Sequence, residues 1–405
     1  MKRRRVGLWL IGAFGGVGTT ITLGLSAIAR GLSPTTGLVT ALPLFDGLDL
    51  PEPGDFVVGG HEIRQTSFLA SAEEFLSGSR VFDRSVVDAC RGELEAATAR
   101  VRPGTKFGTN ATIGRLGDWA DPTPPRTAAD VVDRLAKDMD DFARSEHVDH
   151  LIVLNVSSTE APASIPAELL LGGDLDLLGL LGRATPDFLP ASSLYAIAAV
   201  RSGHTYLNFT PSLGASLPSI AGLAESTGSL LGGKDGKTGE TLMKTVLAPM
   251  FAHRNLKVTS WVGHNIFGNR DGLVLDDPAN KAAKVRTKDV VIHEILGYKP
   301  NTLVTIEYLP DMGDWKTAWD HIHFQGFLGT PMTLQFTWQG CDSLLAAPLG
   351  IDLARLADLE KRRGRKGLMK HLASFFKAPE GAPTNDFFEQ FRTLVDYVAQ
   401  VKAGA

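Results

Sequence analysis

The apolar run Val6-Gly-Leu-Trp-Leu-Ile11 passes directly into Gly12-Ala-Phe-Gly15-Gly16-Val-Gly18, and Thr19-Thr20 then open an apolar helix ending at Gly31. No other feature constrains the chain as much. A short, nearly all-apolar run is what a central parallel strand buried on both faces requires. Glycines after such a strand let the backbone approach a pyrophosphate, and the N-terminus of the next helix stabilises its charge. The spacing departs from the usual fingerprint, with glycines at the first, fourth and seventh positions of the loop. A ligand-free strand–helix turn therefore stays open beside dinucleotide binding. The acid expected about twenty residues on is missing from its place, because the predicted second strand, residues 36–42, ends in Ala41-Leu42-Pro43. Asp46 is the nearest candidate for the ribose hydroxyls.

A chain of 405 residues implies two domains or one large elaborated one. With 43% hydrophobic and 21% charged residues it is neither disordered, fibrous nor a coiled coil. Lys plus Arg number 41 against 45 Asp plus Glu, and a net charge of −4 argues against nucleic-acid and anionic-membrane partners. Two cysteines, Cys90 and Cys341, and no CxxC exclude a disulfide framework and a zinc site of that type, so a cytoplasmic location is expected. Lys2-Arg3-Arg4-Arg5 before the first apolar run imitates a secretory leader. That run is broken by glycine after Ile11, and no small-x-small site follows it, so a buried first strand is the expectation. No apolar stretch reaches 18 residues, so no membrane span is expected.

Apolar spacing predicts helices between 70 and 100 and an amphipathic helix from Thr127, its cap, to Ser145. A buried strand is predicted over 150–156, a helix over 194–200 and a strand over 205–209. After about residue 225 a glycine-rich polar stretch leads into the helix LMKTVLAPMFAHR. Runs rich in β-branched and aromatic residues follow (LKVTSWVG, LVTIEYL, MTLQFTWQG), which predict an open mixed sheet in a second domain. The tail from Asp352 reads as helical throughout, GLMKHLASFFK included. His321 and His323 share one side of a strand; a solvated face accounts for them more simply than a metal pair.

The lysines of the second half are less bland than surface lysines usually are. Lys234, Lys237 and Lys244 sit in the glycine stretch and its helix; Lys281, Lys284 and Lys288 share one segment, the last two at i and i+4. Lys316 lies in the acidic turn DMGDWK, and Lys377 follows the apolar LASFF. A lysine crowded by cations and partly desolvated has a lowered pKa and can serve as a base near neutrality, which suits proton abstraction from a phosphorylated substrate.

Taken together these segments resemble the myo-inositol-1-phosphate synthase family over nearly the whole chain. GAFGGVGTT (12–20) resembles its glycine loop, LNVSSTEA (154–161) its second nucleotide-binding segment, and SSLYAIAAVRSGHTYLNFTPS (192–212) its S-x-LYA stretch. KDGKTGETLMKTVLAPMF (234–251), HNIFGNRDG (264–272) and SFFKAP (374–379) are similar to three further family boxes. The wording is closer to archaeal and bacterial members than to the longer eukaryotic ones.

The resemblance implies an α/β fold: a Rossmann-type NAD-binding domain (1–212 plus 351–405) with an inserted α+β catalytic and tetramerisation domain (213–350). It implies NAD as cofactor, with a monovalent or divalent cation left open, a sugar-phosphate substrate, and a homotetramer. For the cofactor it marks Gly12, Ala13, Phe14, Gly15, Gly16, Val17, Gly18, Thr19, Asn155, Ser157, Thr159, Asp235 and Asp342. Thr238, Gly239, Glu240 and Thr241, with Lys288 and Asn269, are implied to hold the substrate phosphate, Glu240 through its backbone N–H with the side chain turned away. Lys284, Lys288, Lys316 and Lys377 fall at the family's four essential lysines, beside Asn265 and Asp271. The implied reaction is oxidation of glucose 6-phosphate at carbon 5, proton removal at carbon 6 by Lys284, aldol closure on carbon 1 near Lys316 and Lys377, and re-reduction. The same chemistry on another sugar phosphate, closing a five-membered ring, stays open. An ordinary NAD-linked dehydrogenase or a non-catalytic nucleotide-binding protein is less consistent with the lysine set.

Overall fold

A computed structural model describes residues 4–109, 111–119, 125–161, 165, 169–170, 177–182, 188–275 and 291–404. The chain begins with strand β1 (Val6–Ile11) and helix α1 (Gly16–Ala29), then reaches β2 (Phe56–Glu62) and β3 (Val101–Pro103). Helix α2 (Ala128–Ser145) leads to β4 (His150–Asn155), α3 (Ala191–Arg201) to β5 (Thr205–Asn208), and α4 (Pro218–Thr227) to β6 (Leu230–Gly233). Helix α5 (Glu240–His253) precedes β7 (Lys257–Phe267), β8 (Asn301–Tyr308), β9 (Trp315–Gln325) and β10 (Pro331–Cys341). Helix α6 (Asp342–Arg362), β11 (Gly367–Leu368) and α7 (Phe387–Lys402) complete it.

The first sheet has the order β11-β6-β5-β4-β1-β2-β3, with every pairing parallel. The two-residue period of β1 explains why its sequence is apolar throughout. Val6, Leu8 and Leu10 pack into the cluster shared with α1, α6 and α7, whereas Trp9 and Ile11 pack into the cluster shared with α2, α3 and α4. Strand order reverses between β1 and β4, which opens a crevice at their carboxyl ends. Thr127 caps α2 as its spacing predicts: its side chain accepts from Asp130 N while Asp130 returns a bond to Thr127 N.

The second sheet has the order β10-β9-β7-β8, antiparallel except for the parallel β7–β8 pair, and α5 covers one face through Ala248 and Phe251. The other face carries exposed Trp319 and Leu303, and the β9–β10 turn exposes Phe327 and Leu328.

Three expectations change. Residues 36–42 hold a short 3-10 turn (Val39–Ala41) instead of a strand, because Asp352 on α6 captures Val39 N at 2.7 Å and Thr40 N at 3.0 Å. The true second strand, β2, comes later. The segment GLMKHLASFFK is not an α-helix: Gly367 and Leu368 join the edge of the first sheet, and Lys370–Phe375 winds as 3-10 turns that bury Leu372 and Phe375. Sheet membership also crosses the boundary drawn at residue 212, since β6 belongs to the first sheet; likewise α6 begins at Asp342, before residue 351, and packs on α1.

Asp352 is wholly buried, beside Arg355, whose guanidinium donates to Thr40 and Pro51. Replacing it by alanine strands the Val39 and Thr40 backbone donors. Asp352→Ala is expected to cost about 2 kcal/mol or more, read as a lowered midpoint in denaturant unfolding.

Candidate functional site

A cavity of about 450 Å³ lies where the two sheets meet. Its floor is the carboxyl edge of the first sheet: Ile11 from β1, His61 and Glu62 from β2, and Val156 and Phe209 just beyond β4 and β5. This is the crevice at which doubly wound sheets bind ligands. Gly12, Gly15, Gly16 and Val17 of the loop line it. Gly12 has φ +80°, a conformation glycine adopts without strain. A Cβ on Gly18 would stand 2.3 Å from Ala13 O, so this glycine lets helix and loop pack closely. Ala13, Phe14, Gly18 and Thr19 face inward and are buried beneath the loop.

The loop is fastened to the end of β2. Gly12 N and Ala13 N both donate to His61 O at 3.0 and 3.2 Å, and Phe14 N donates to Glu62 Oε2 at 2.9 Å. Glu62 also accepts from Ile63 N at 2.9 Å and Arg64 N at 3.2 Å, and Arg64 returns a bond to Phe14 O at 2.7 Å. Glu62 stands where the ribose-binding acid of such folds belongs, and the sequence analysis missed it because it sought the second strand too early. Asp46, its stand-in, is exposed after the turn Pro43–Phe45 and does not line the cavity. The overlooked signal is FVVGGHE, an apolar run followed by an acid.

Beyond β4, Ser157 and Thr159 line the cavity, while Asn155 is buried behind them and accepts from Ser157 N and Oγ at 3.2 and 2.7 Å. Glu160, also unforeseen, shares this wall; burial pushes its carboxyl up, and Ser192 N and Oγ donate to it.

The opposite wall comes from the second half. Asp235 and Thr238 line it with Lys377, whose Nζ donates to Asp235 Oδ1 at 2.9 Å. Asp235 Oδ2 is buried and accepts no hydrogen bond among the described residues. Asn269 and Asp342 also line the cavity, and Lys316 pairs with Asp342 at 3.3 Å while lying 5.2 Å from the Phe267 ring centre. Asn265 is buried on β7, its Nδ2 directed at Thr305 O at 3.4 Å. Asp314, one of the acids interspersed among these lysines, accepts from Asn269 Nδ2 at 3.0 Å and Ser343 N at 2.8 Å, and burial raises its pKa.

Gly239, Glu240 and Thr241 form the start of α5 behind Thr238, and the Glu240 side chain turns to Lys244 at 2.7 Å. Asp271 lies in the short helix Arg270–Leu275. Lys281, Lys284 and Lys288 lie outside the described residues. Lys237 is buried with its Nζ donating to Gln390 Oε1 at 2.6 Å; burial lowers its pKa to about 7, Asp386 opposes that and Lys377 adds to it. His321 and His323 lie on the open sheet face with their rings tilted and centres 4.5 Å apart, and no group of three metal-ligating side chains occurs among the described residues.

The glycine loop, the acid at the end of β2 and the orphaned Asp235 oxygen together fit a dinucleotide with polar hydroxyls. A family model described as myo-inositol-1-phosphate synthase, in an NAD-binding series, matches residues 6–398. The inositol-3-phosphate synthase 1 of Bacteroides thetaiotaomicron is 32% identical, covering 96% of this chain and 94% of that protein. The corresponding rice protein, from Oryza sativa, is 27% identical over 99% of this chain and 86% of its own. Among solved structures, inositol-3-phosphate synthase from Caenorhabditis elegans superposes with a TM-score of 0.86 at 24% identity, covering 98% of this chain and 86% of that one. A myo-inositol-1-phosphate synthase-related protein from Thermotoga maritima gives 0.77 at 23% identity, covering 98% and 99%. These two likenesses concern the fold.

Two predictions follow from the local geometry. Glu62→Ala releases Phe14 N and is expected to raise the Kd for NAD about tenfold or more, read by calorimetric titration. The folded chain holds Lys237 neutral above about pH 7, whereas an unfolded lysine stays charged to about pH 10. Between those values the unfolded chain binds more protons, so the burial penalty is full below pH 7 and fades as pH rises. Thermal melts should therefore show Lys237→Met gaining most on the wild type near about pH 6 and least near about pH 9.

Proposed function

Because the chain belongs to the myo-inositol-1-phosphate synthase family, we propose that it converts D-glucose 6-phosphate to 1D-myo-inositol 3-phosphate with NAD and no net redox change. The observation that carries this reading is one cavity walled by a glycine loop on one side and by the aspartate-held Lys377 on the other, with Lys316 paired to Asp342 of the same wall. When bound, NAD supplies a reversible hydride acceptor.

The chain's own groups supply the rest. Gly12, Gly15 and Gly16 leave room for a pyrophosphate at the start of α1, and Glu62 places an acid for the adenosine ribose. Thr238 and the first turn of α5 receive the substrate phosphate, so that remote binding energy orients the sugar. Lys377, 11% exposed, and Lys316, 12% exposed, stand as cations beside the carbonyl oxygens that become anionic on enolisation and aldol closure. Their partners Asp235 and Asp342 hold them in place before the substrate arrives. Lys284 serves as the base at carbon 6 and Lys288 joins the phosphate site, on the strength of family resemblance alone. The exposed Trp319, Leu303, Phe327 and Leu328 support pairing of the second sheets between copies in a homotetramer.

Glucose 6-phosphate with catalytic NAD should yield inositol phosphate by NMR with no steady NADH absorbance. Lys284→Ala and Lys377→Ala should each lower kcat/KM by about a thousandfold or more. Net NADH accumulation would instead mark a dehydrogenase, and turnover of fructose 6-phosphate alone would move the substrate.

A further inference from the structure

Glutamate at the first position of a helix proposed to hold a phosphate is an electrostatic oddity. The structure resolves it below the surface. Glu240 turns its carboxylate along α5 to Lys244 Nζ, 2.7 Å away, and both side chains are at most 1% exposed. Lys244 Nζ in turn lies 3.9 Å from Asp320 Oδ1 on β9, and that oxygen accepts from Trp261 Nε1 on β7 at 2.6 Å. The sheet is built around the cluster. A Cβ on Gly263 of β7 would stand 2.7 Å from Glu240 Oε1, 3.2 Å from Asp320 Oδ1 and 3.4 Å from Lys244 Nζ. One buried cation thus holds two carboxylates from different elements, in a space that only glycine leaves open.

We infer that Glu240 is a positioning residue for the substrate phosphate, acting through Lys244 and Asp320. Lys244 offsets the carboxylate's charge and keeps its side chain turned along the helix, away from the anion-attracting end of α5. The same link ties that turn to β9, where Lys316 lies four residues before Asp320. The phosphate end of the site and the Lys316 end are therefore set by one buried ion group. The inference rests on the proposed function, which places the phosphate at this turn.

The test uses full-length, NAD-loaded protein and two variants, Glu240→Gln and Asp320→Asn, the second on β9 and not on α5. Both should raise KM for glucose 6-phosphate about tenfold with kcat changed less than about threefold and KM for NAD unchanged. Calorimetric Kd values for glucitol 6-phosphate, which lacks the aldehyde and cannot cyclise, should weaken in parallel. A merely structural role would lower the melting temperature and leave these ratios alone. Variants that bind glucitol 6-phosphate like the wild type, or that both lose cooperative melting, overturn the inference. A wild type that binds the sugar phosphate without cyclising it sinks the proposed reaction and leaves this inference standing if the variants bind more weakly.

Discussion

At Asp314, donors from three stretches of chain converge on one buried carboxylate. Asn269 Nδ2 reaches it from the loop after β7, Cys341 Sγ from the end of β10, and Ser343 N and Oγ from the first turn of α6. Its own N–H donates to Ser79 Oγ at 2.9 Å, and the Trp315 indole donates to Ser79 O at 2.7 Å. A buried carboxylate left short of donors is costly, so this geometry holds only when all of these segments are in place. Through it the second sheet is joined to the first, and Asp342, which pairs with Lys316, takes a position in the cavity that the glycine loop lines.

Charge in this molecule is sorted by depth. Lys244 is buried between two carboxylates, Lys316 and Lys377 are nearly buried with one aspartate each, and Lys237 is buried against an amide. Burial drives Lys237 to a pKa of about 7 against the pull of Asp386. Four lysines that look alike in the sequence therefore divide into a linking cation, two aspartate-held cations in and beside the cavity, and one that gives up its proton readily.

Much of the frame was legible. Val6–Ile11 and residues 151–154 are apolar at every position that two helical layers cover, and Thr127 with Asp130 marks the start of α2. The glycine loop announced the crevice. Residues 36–42 misled because their β-branched letters are claimed by Asp352, more than three hundred positions away, which no local pattern reports. Glu62 was missed for the same reason, and Glu160 was missed because a single acid carries no period.

By itself the sequence determined the buried strands, the helices that cover them and the glycine loop, since these follow from periodicity, caps and glycine spacing, while the residues of the site came from family resemblance. Tertiary structure decided the pairings: Lys377 with Asp235, Lys316 with Asp342, Glu240 with Lys244 and Asp320. The reason is physical. A carboxylate buried beside an ammonium is tolerable only as a pair, and which pair forms depends on which side chains packing brings together out of water.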